Sequence, residues 1–254
     1  MKPIEEFLNK ITCIDCIEGL QQLPDACIDL TITSPPYNCG IEYDTWKDNL
    51  PWNEYLAWCE KWLKEVYRVT KPDGRICVNI LMEMGVEDNK VRVSPYAEFY
   101  HLYHKVGFHP FGSPVWADPS RVKYTAWGSW LSPSAVYIYN PYEVVLIGYK
   151  DQWKKIDKGE ATITDKEFKM GCAGVWKFKT QTKEITKANF HPELPALCMK
   201  LLSYKKNVIL DPFMGGGTTA VACVNLDRNF IGFEISKNYF RIAQKRLRQS
   251  KIMF

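Results

Sequence analysis

Short apolar runs alternate with amphipathic stretches along most of the chain. From 52 to 69 the apolar residues recur every three or four positions, which predicts a long helix packed on a sheet. Short continuous apolar runs predict buried strands, and their alternation with helices predicts βαβ units and a mostly parallel sheet. The predicted strands are 9–14, 28–33, 75–81, one near Val115, 143–149, 208–210 and 230–235. The predicted helices are 17–23, 52–69, 96–106, 191–202, 218–225 and a closing helix capped by Ser236.

The regular pattern stops at Lys150. From 150 to about 190 the chain is polar and rich in lysine, and we interpret this stretch as an irregular insertion or small subdomain within a single domain spanning 1–254. Its lysines form one surface that could follow phosphates, with an ordinary solvated face as the alternative. A second basic surface lies on the closing helix and consists of Arg241, Lys245, Arg246, Arg248 and Lys251.

Composition narrows the class of protein. With 254 residues, 46% hydrophobic and 24% charged, the chain can bury a sizeable core, and its net charge of +4 permits a polyanionic partner without requiring one. Nine scattered cysteines, no apolar signal region and no run of 18 apolar residues predict a reducing cytoplasm and no membrane partner. Only Cys13 and Cys16 are closely spaced, so no metal site is expected.

A polar corner follows the apolar run 28–33. It consists of Ser34, Pro35, Pro36 and Tyr37. Two successive prolines fix φ and remove two N–H donors, so the Pro35 carbonyl group can face a pocket instead of pairing within a sheet. This carbonyl and the Ser34 hydroxyl can accept two N–H bonds from an exocyclic amino group, while the Tyr37 ring stacks on the base that carries it. The corner predicts a site for a flat ring bearing an amine, with a structural turn as the alternative.

A glycine-rich turn joins a strand to a helix near the C-terminus. It runs from 211 to 219 and contains three successive glycines. Such a turn lets a ligand approach the backbone and directs free N–H groups at an anionic group. Glu234 lies 23 residues beyond Asp211, close to the offset of about 20 at which an acid grips ribose hydroxyls. No lysine follows Gly217, which excludes a Walker-type phosphate loop, so the pattern predicts a nucleoside-like cofactor.

Both motifs resemble those of a known family. The segment 34–38 is similar to the catalytic motif, and 211–219 to the cofactor motif, of the S-adenosylmethionine-dependent DNA amino-methyltransferases. The catalytic motif comes first and the cofactor motif last, which resembles the β class of bacterial and archaeal modification enzymes. The resemblance covers nearly the whole chain. It implies a Rossmann-like α/β fold, a doubly wound, mostly parallel sheet of seven strands with permuted motif order, in which the two motif-bearing strands lie side by side.

The resemblance also implies roles for particular residues. The cofactor would be S-adenosylmethionine, the product S-adenosylhomocysteine, and no metal would be needed. The catalytic residues implied are Ser34, Pro35, Pro36 and Tyr37. The cofactor-binding residues implied are Asp15, Asp211, Phe213, Gly215, Gly217, Thr218, Glu234 and His191.

The partner implied is double-stranded DNA with one base flipped out of the stack. A loop with two indoles, hydroxyl groups and a glycine would fill space beside the flipped base. We assign this contact to Trp127, Ser129, Trp130 and Ser132, with a loop that caps the core as the alternative. The insertion 150–190 would read DNA sequence. The family also implies a nucleoid-associated, cytoplasmic enzyme of a restriction-modification system, compatible with a cognate restriction endonuclease and with a homodimer.

The first residue of the catalytic motif bears on the target base. Most adenine-N6 members of the family begin this motif with aspartate, whereas members with serine are mostly cytosine-N4 enzymes, so Ser34 favours N4 of cytosine. Serine is neutral, so the Pro35 carbonyl is expected to carry more of the charge stabilisation. Leu194 stands where the family usually has an aromatic residue. The alternatives are adenine N6, methylation of RNA or a protein amide, and a non-catalytic nucleic-acid-binding module.

Overall fold

One large sheet organises the chain. The computed structural model describes residues 1–86, 91–118, 120, 128–178 and 191–252. The strands are β1 (Lys10–Cys13), β2 (Ile28–Thr33), β3 (Thr70–Leu81), β4 (Met84–Val86), β5 (Val91–Val93), β6 (His109–Gly112), β7 (Val115–Trp116), β8 (Glu143–Tyr149), β9 (Val175–Trp176), β10 (Val208–Asp211) and β11 (Asn229–Glu234). The helices are α1 (Cys16–Gln22), α2 (Trp52–Val69), α3 (Pro95–Val106), α4 (Asp165–Gly171), α5 (Glu193–Leu202), α6 (Thr218–Asn225) and α7 (Lys237–Ile252), with a 3₁₀ turn at Ile4–Glu6.

The strand order is β1-β11-β10-β2-β3-β8-β7-β9, and β6 also pairs with β8. The five strands from β1 to β3 in this order run parallel, whereas β8 is antiparallel to β3, β6 and β7. The prediction of an α/β fold with a mostly parallel sheet is confirmed. The predicted number of seven strands is wrong, because β6 and β9 extend the sheet to nine strands. The Pro and Gly of β6 argue against a strand, and β9 has only two residues.

Two hydrophobic cores cover the two faces of the sheet. Residues of β3 alternate between them: Ile76 and Val78 pack with α1, α2 and α3, while Cys77 packs with α5, α6 and α7 on the other face. Because side chains alternate along a strand, a strand buried on both faces reads as a continuous apolar run. This is why the central strands could be predicted from short apolar runs. No helix in the described part of the chain has both the length and the apolar composition needed to span a bilayer.

The interpretation of 150–190 as irregular is wrong in part. It contains α4, which begins with a reciprocal capping box between Thr164 and Glu167, and β9. The signal for α4 was present as a threonine followed three residues later by a glutamate. Residues 179–190 of the insertion lie outside the described residues.

The first half of the insertion lies at the opposite edge of the sheet from the carboxyl ends of the parallel strands. Tyr149 pairs with Arg75 at the beginning of the apolar part of β3, so the chain leaves β8 at the amino-terminal edge of the sheet. There the N–H group of Ile156 donates to Asp73 at 2.8 Å. The chain then returns alongside α5, where Lys200 forms an ion pair with Glu167. Residues 150–171 therefore follow the edge and outer side of the domain.

We expect Gly19→Ala to destabilise the protein. A methyl group at Gly19 in α1 would lie 2.6 Å from the ring of Phe233, which is fully buried in β11. Overpacking of this kind costs about 1–3 kcal/mol of the free energy of unfolding. Gly112→Ala is the matched control, because its methyl group would meet nothing within 4 Å. Urea denaturation measures the free energy of unfolding of both variants. Helix propensity alone would make Gly19→Ala more stable than wild type, and that result would contradict the predicted clash with Phe233.

Candidate active site

The two motifs meet at one edge of the sheet. Strands β2 and β10 are adjacent and parallel, with Leu30 opposite Ile209, so both strands end at the same edge. At these ends the Thr33 hydroxyl donates to Oδ1 of Asp211 at 2.7 Å. The expectation that the motif-bearing strands lie side by side is confirmed. Residues that are 178 positions apart in sequence are thus in direct contact.

Asp211 is buried and joins three elements. Its carboxylate accepts hydrogen bonds from Thr33 in β2, from the N–H group of Phe213 at 3.1 Å, and from the hydroxyl of Thr219 in α6 at 2.6 Å. Burial raises the pKa of Asp211 to about 6, although the three hydrogen bonds act in the opposite direction. The side chain therefore fixes the end of β10 relative to the glycine turn.

The glycine turn has the shape of a ligand cradle. Gly215 and Gly217 have φ of +52° and +82°, a left-handed backbone that other residues rarely adopt. A methyl group at Gly217 would lie 2.9 Å from Cβ of Ala243, so this glycine lets α7 approach. At Gly215 the nearest atom would be 3.9 Å away, which leaves open space beside the backbone. A cofactor can approach the turn on this side.

Glu234 supports the same turn from the end of β11. Its Oε2 accepts from the N–H group of Gly215 at 2.7 Å, and its Oε1 accepts from the N–H group of Ser236 at 2.8 Å. Burial raises the pKa of Glu234 above its ordinary value. Carboxylate oxygens hold additional lone pairs that can accept hydroxyl groups. The acid thus lies where the sequence predicted it, beside the glycine turn.

The other predicted cofactor residues lie around this turn or near its edge of the sheet. Asp15 follows β1, whose Cys13 is paired with Glu234, and its carboxylate caps α1 by accepting from the N–H groups of Ile17 and Glu18. Phe213 packs against indoles of α2, with ring centroids 5.5 Å from Trp58. Neither placement tests contact with a cofactor, which stays a prediction.

His191 and Thr218 lie at the starts of two helices. His191 precedes α5, and its Nδ1 accepts from the N–H group of Glu193. Thr218 is buried at the first position of α6, and its hydroxyl accepts from Arg246. Arg246 also donates to the carbonyl of Gly216, so this arginine of the closing helix supports the glycine turn. The sequence analysis placed Arg246 on a surface that could follow phosphates and did not predict this supporting role. A contact between residues 30 positions apart leaves no local signal in the sequence.

The polar corner at residues 34–37, called the catalytic corner below after its predicted role, is held by residues that the sequence analysis missed. The Tyr37 hydroxyl lies 2.7 Å from Oγ of Ser34 and donates to Oε2 of Glu143 at 3.0 Å. Asn79 donates from Nδ2 to the Tyr37 oxygen at 2.9 Å and also to Glu143. Burial, followed by the Glu143 carboxylate, raises the pKa of Tyr37 well above its ordinary value. The sequence signal that could have identified Asn79 and Glu143 was a polar residue within, or at the start of, an otherwise apolar strand.

The two prolines present their carbonyl groups differently. The Pro36 carbonyl accepts from the Tyr55 hydroxyl at 2.8 Å. Within the described ranges no residue donates a hydrogen bond to the Pro35 carbonyl. This carbonyl therefore retains its capacity to accept, as the sequence predicts for an amine site.

The loop after the catalytic corner links it to the cofactor side. The Asp48 carboxylate accepts from the N–H groups of Asn38 and Cys39 at 2.8 and 3.0 Å, and Asp44 accepts from the Ser236 hydroxyl at 2.6 Å. Burial and the Asp48 charge raise the pKa of Cys39 to about 12, which disfavours a thiolate nucleophile. The residues described contain no group of three or more His, Cys, Asp or Glu side chains placed to hold a metal ion.

The loop assigned to the flipped base is partly described. Trp127 lies outside the described residues. The Ser129 hydroxyl donates to the carbonyl of Ser132 and accepts from the N–H group of Ala135, so both serines shape a turn. Trp130 is 72% exposed. The loop leads directly into β8 and therefore emerges at the edge that carries the catalytic corner.

The raised pKa of Asp211 predicts a pH-dependent effect of Asp211→Asn. The pKa in the folded protein is about 6 against 3.8 for the unfolded chain, so the stabilising contribution of the protonated form is lost as pH rises through 6. Asparagine does not ionise. The free energy of unfolding of the variant relative to wild type should therefore increase by about 2 kcal/mol between pH 4 and pH 8. Urea titrations across this range measure it, with exposed Asp165→Asn as the control, and a constant difference would contradict the burial argument.

Comparison with known proteins gives the family. A family profile described as DNA methylase, of the N6/N4 methyltransferase type, matches residues 28–245. The type II methyltransferase M.MjaVI of Methanocaldococcus jannaschii is 39% identical over 178 residues, which cover 70% of this chain and 90% of that protein. M.BglII, a type II methyltransferase of Bacillus subtilis, is 28% identical over 257 residues, covering 94% of this chain and 69% of its own.

Solved structures agree with the fold. TTHA0409 of Thermus thermophilus, a candidate DNA modification methylase complexed with S-adenosyl-L-methionine, has a TM-score of 0.77 at 23% identity over 96% of this chain and 95% of its own. PvuII DNA methyltransferase, described as cytosine-N4-specific, has a TM-score of 0.73 at 20% identity over 93% of this chain and 85% of its own. The chain therefore belongs to the β-class, S-adenosylmethionine-dependent DNA amino-methyltransferases, a family that methylates cytosine N4 or adenine N6.

Proposed function

We propose that this DNA methyltransferase transfers a methyl group to the N4 amino group of a cytosine flipped out of duplex DNA. The observation that carries the proposal is the corner at Ser34, which lies beside the glycine turn because Thr33 contacts Asp211. A serine at this position favours cytosine N4 within the family. The description of the PvuII enzyme as cytosine-N4-specific supports the same choice.

The chemistry follows from two acceptors at the corner. The Ser34 hydroxyl and the Pro35 carbonyl accept the two N–H bonds of the target amine, which aligns the nitrogen lone pair with the cofactor. S-adenosylmethionine supplies an electrophilic methyl group on a sulfonium. As the nitrogen–carbon bond forms, the carbon–sulfur bond breaks and its electron pair stays on sulfur. One N–H proton of the methylated amine then passes to solvent water, and the enzyme needs no covalent nucleophile.

The cofactor roles are divided by position. We assign the ribose hydroxyls to Glu234 and close backbone approach to Gly215, which has open space beside it. Asp15 would reach the adenine. The remaining assigned residues hold the methionine side or shape the turn: Asp211, Phe213, Gly217, Thr218 and His191. Pro36 and Tyr37 complete the catalytic corner, with the Tyr37 ring against the flipped base.

DNA would be engaged by the loop that precedes β8. This loop exposes apolar side chains at the catalytic edge, among them Trp130 and Leu131, the latter 87% exposed. Apolar side chains of this kind fill the gap that an extruded base leaves in the stack. Part of the insertion 150–190 would add backbone contacts. The names of the type II relatives suggest a cognate restriction endonuclease as partner, and a homodimer is compatible with the proposal.

The decisive experiment identifies the methylated base. Purified protein is incubated with duplex DNA and S-adenosylmethionine, the DNA is digested to nucleosides, and the products are identified by mass spectrometry. We expect N4-methylcytosine, and we expect Ser34→Ala to reduce it strongly. N6-methyladenine alone would refute the proposed base. Methylation of RNA or protein without methylation of DNA would refute the proposed substrate, and failure to bind the cofactor would favour a non-catalytic module.

Two variants should separate the two halves of the site. Glu234→Ala removes a charged acceptor from the ribose and from Gly215, so cofactor affinity in calorimetry should fall by about ten- to a hundredfold. Tyr37→Ala removes the ring beside the target base, so turnover should be lost while cofactor affinity stays close to that of wild type. Equal loss of cofactor binding in both variants would contradict this division.

A further inference from the structure

The Tyr37 hydroxyl is the centre of a small buried network. Four polar groups surround it within hydrogen-bond distance: Oγ of Ser34 at 2.7 Å, Oε2 of Glu143 at 3.0 Å, and the backbone carbonyl and Nδ2 of Asn79 at 3.2 and 2.9 Å. Glu143 is 7% exposed and Asn79 is 1% exposed. The mechanism above requires only Ser34 and Pro35 at the amine. The network behind them therefore calls for its own explanation.

The hydrogen positions in this network are constrained by the chemistry of its members. A tyrosine hydroxyl has one hydrogen to donate and lone pairs to accept with. The Glu143 carboxylate and the Asn79 carbonyl can only accept, so the Tyr37 hydrogen is directed toward them. Nδ2 of Asn79 can only donate, and its amide is oriented by the same carboxylate, which would repel the amide oxygen. The remaining neighbour of the Tyr37 oxygen is the hydroxyl of Ser34, which must therefore donate to it.

A hydrogen placed there determines what Ser34 can offer to a substrate. With its single hydrogen directed at Tyr37, the serine oxygen presents only lone pairs to the other side. An amino group that is about to be methylated offers N–H donors, so it needs acceptors. In the reverse arrangement, with Ser34 donating toward the amine, the hydrogen would compete for the nitrogen lone pair that attacks the methyl group.

We propose that Glu143, acting through Tyr37, holds the Ser34 hydroxyl as a hydrogen-bond acceptor toward the target amine. This inference rests on the proposed function and deepens it. Glu143 is a positioning residue, because it contacts Tyr37 and Asn79 and acts on the amine through them. Its carboxylate is linked to the nitrogen by three hydrogen bonds, through Tyr37 and Ser34, and so polarises the Ser34 oxygen as the nitrogen gains positive charge. The charge that serine lacks is thus supplied from the first residue of β8.

A merely structural role for Glu143 makes a different prediction. If the carboxylate only anchored the start of β8, removing it would affect folding and turnover whether or not Tyr37 carried a hydroxyl. If it acts through that hydroxyl, its effect must disappear when the hydroxyl is removed. Tyr37→Phe removes the hydroxyl and keeps the ring, so the two variants form a double-mutant cycle.

The test measures kcat for DNA methylation in Glu143→Gln, Tyr37→Phe and the double variant, with cofactor affinity and thermal stability measured alongside. Glutamine keeps the size and an acceptor oxygen but removes the charge, so we expect kcat to fall by about tenfold or more in the wild-type background. We expect no further fall in the Tyr37→Phe background. Cofactor affinity should stay within about twofold of wild type.

Glu160→Gln is the control, because Glu160 pairs with Lys205 at the opposite edge of the sheet. Its kcat should equal that of wild type. A fall in kcat of equal size in both Tyr37 backgrounds, or an unchanged kcat in Glu143→Gln, overturns the inference. A wild-type enzyme that methylates no DNA would instead refute the proposed function, so the two failures are distinguishable.

Discussion

The hydrogen bond between Thr33 and Asp211 is the contact on which the site depends. It joins the ends of two parallel strands that carry the catalytic corner and the glycine turn, and it does so with a buried carboxyl group. Burying such a group is unfavourable unless its lone pairs are satisfied. Three donors satisfy them here, and one of these belongs to α6. The buried carboxyl group of Asp211 thus holds the two halves of the site together.

Parallel strands explain why a site can be assembled from such distant segments. Because the carboxyl ends of parallel strands lie at one edge, the loops after β1, β2, β10 and β11 all emerge there. Additional contacts then tie the loops to one another. Glu234 holds Gly215, and Ser236 holds Asp44 of the loop that follows the catalytic corner. These hydrogen bonds between loops hold the two halves of the site in a fixed relative position.

The sequence predicts the elements that are encoded locally. The strand 28–33 and the helix 52–69 match the structure residue for residue, because an apolar run and a stripe of apolar positions are local signals. Strand β6 was missed because Pro110 and Gly112 argue against a strand, and pairing with β8 outweighs that preference. Within the site, the two motifs and Glu234 could be identified from the sequence. The roles of Asn79, Glu143 and Arg246 could not, since they depend on contacts between segments far apart in sequence.

The network behind Ser34 changes what the first residue of the catalytic motif says about the target base. An aspartate at that position brings its own charge and can only accept, whereas a serine can donate or accept and is neutral. In the arrangement we propose, Tyr37 removes the ambiguity by accepting the serine hydrogen, and Glu143 places a carboxylate behind it. A serine backed in this way offers the amine an acceptor and a nearby negative charge, as an aspartate does. The electrostatics at the amine are therefore set by three residues together, and preference for one base must arise also from the shape of the cavity that receives it.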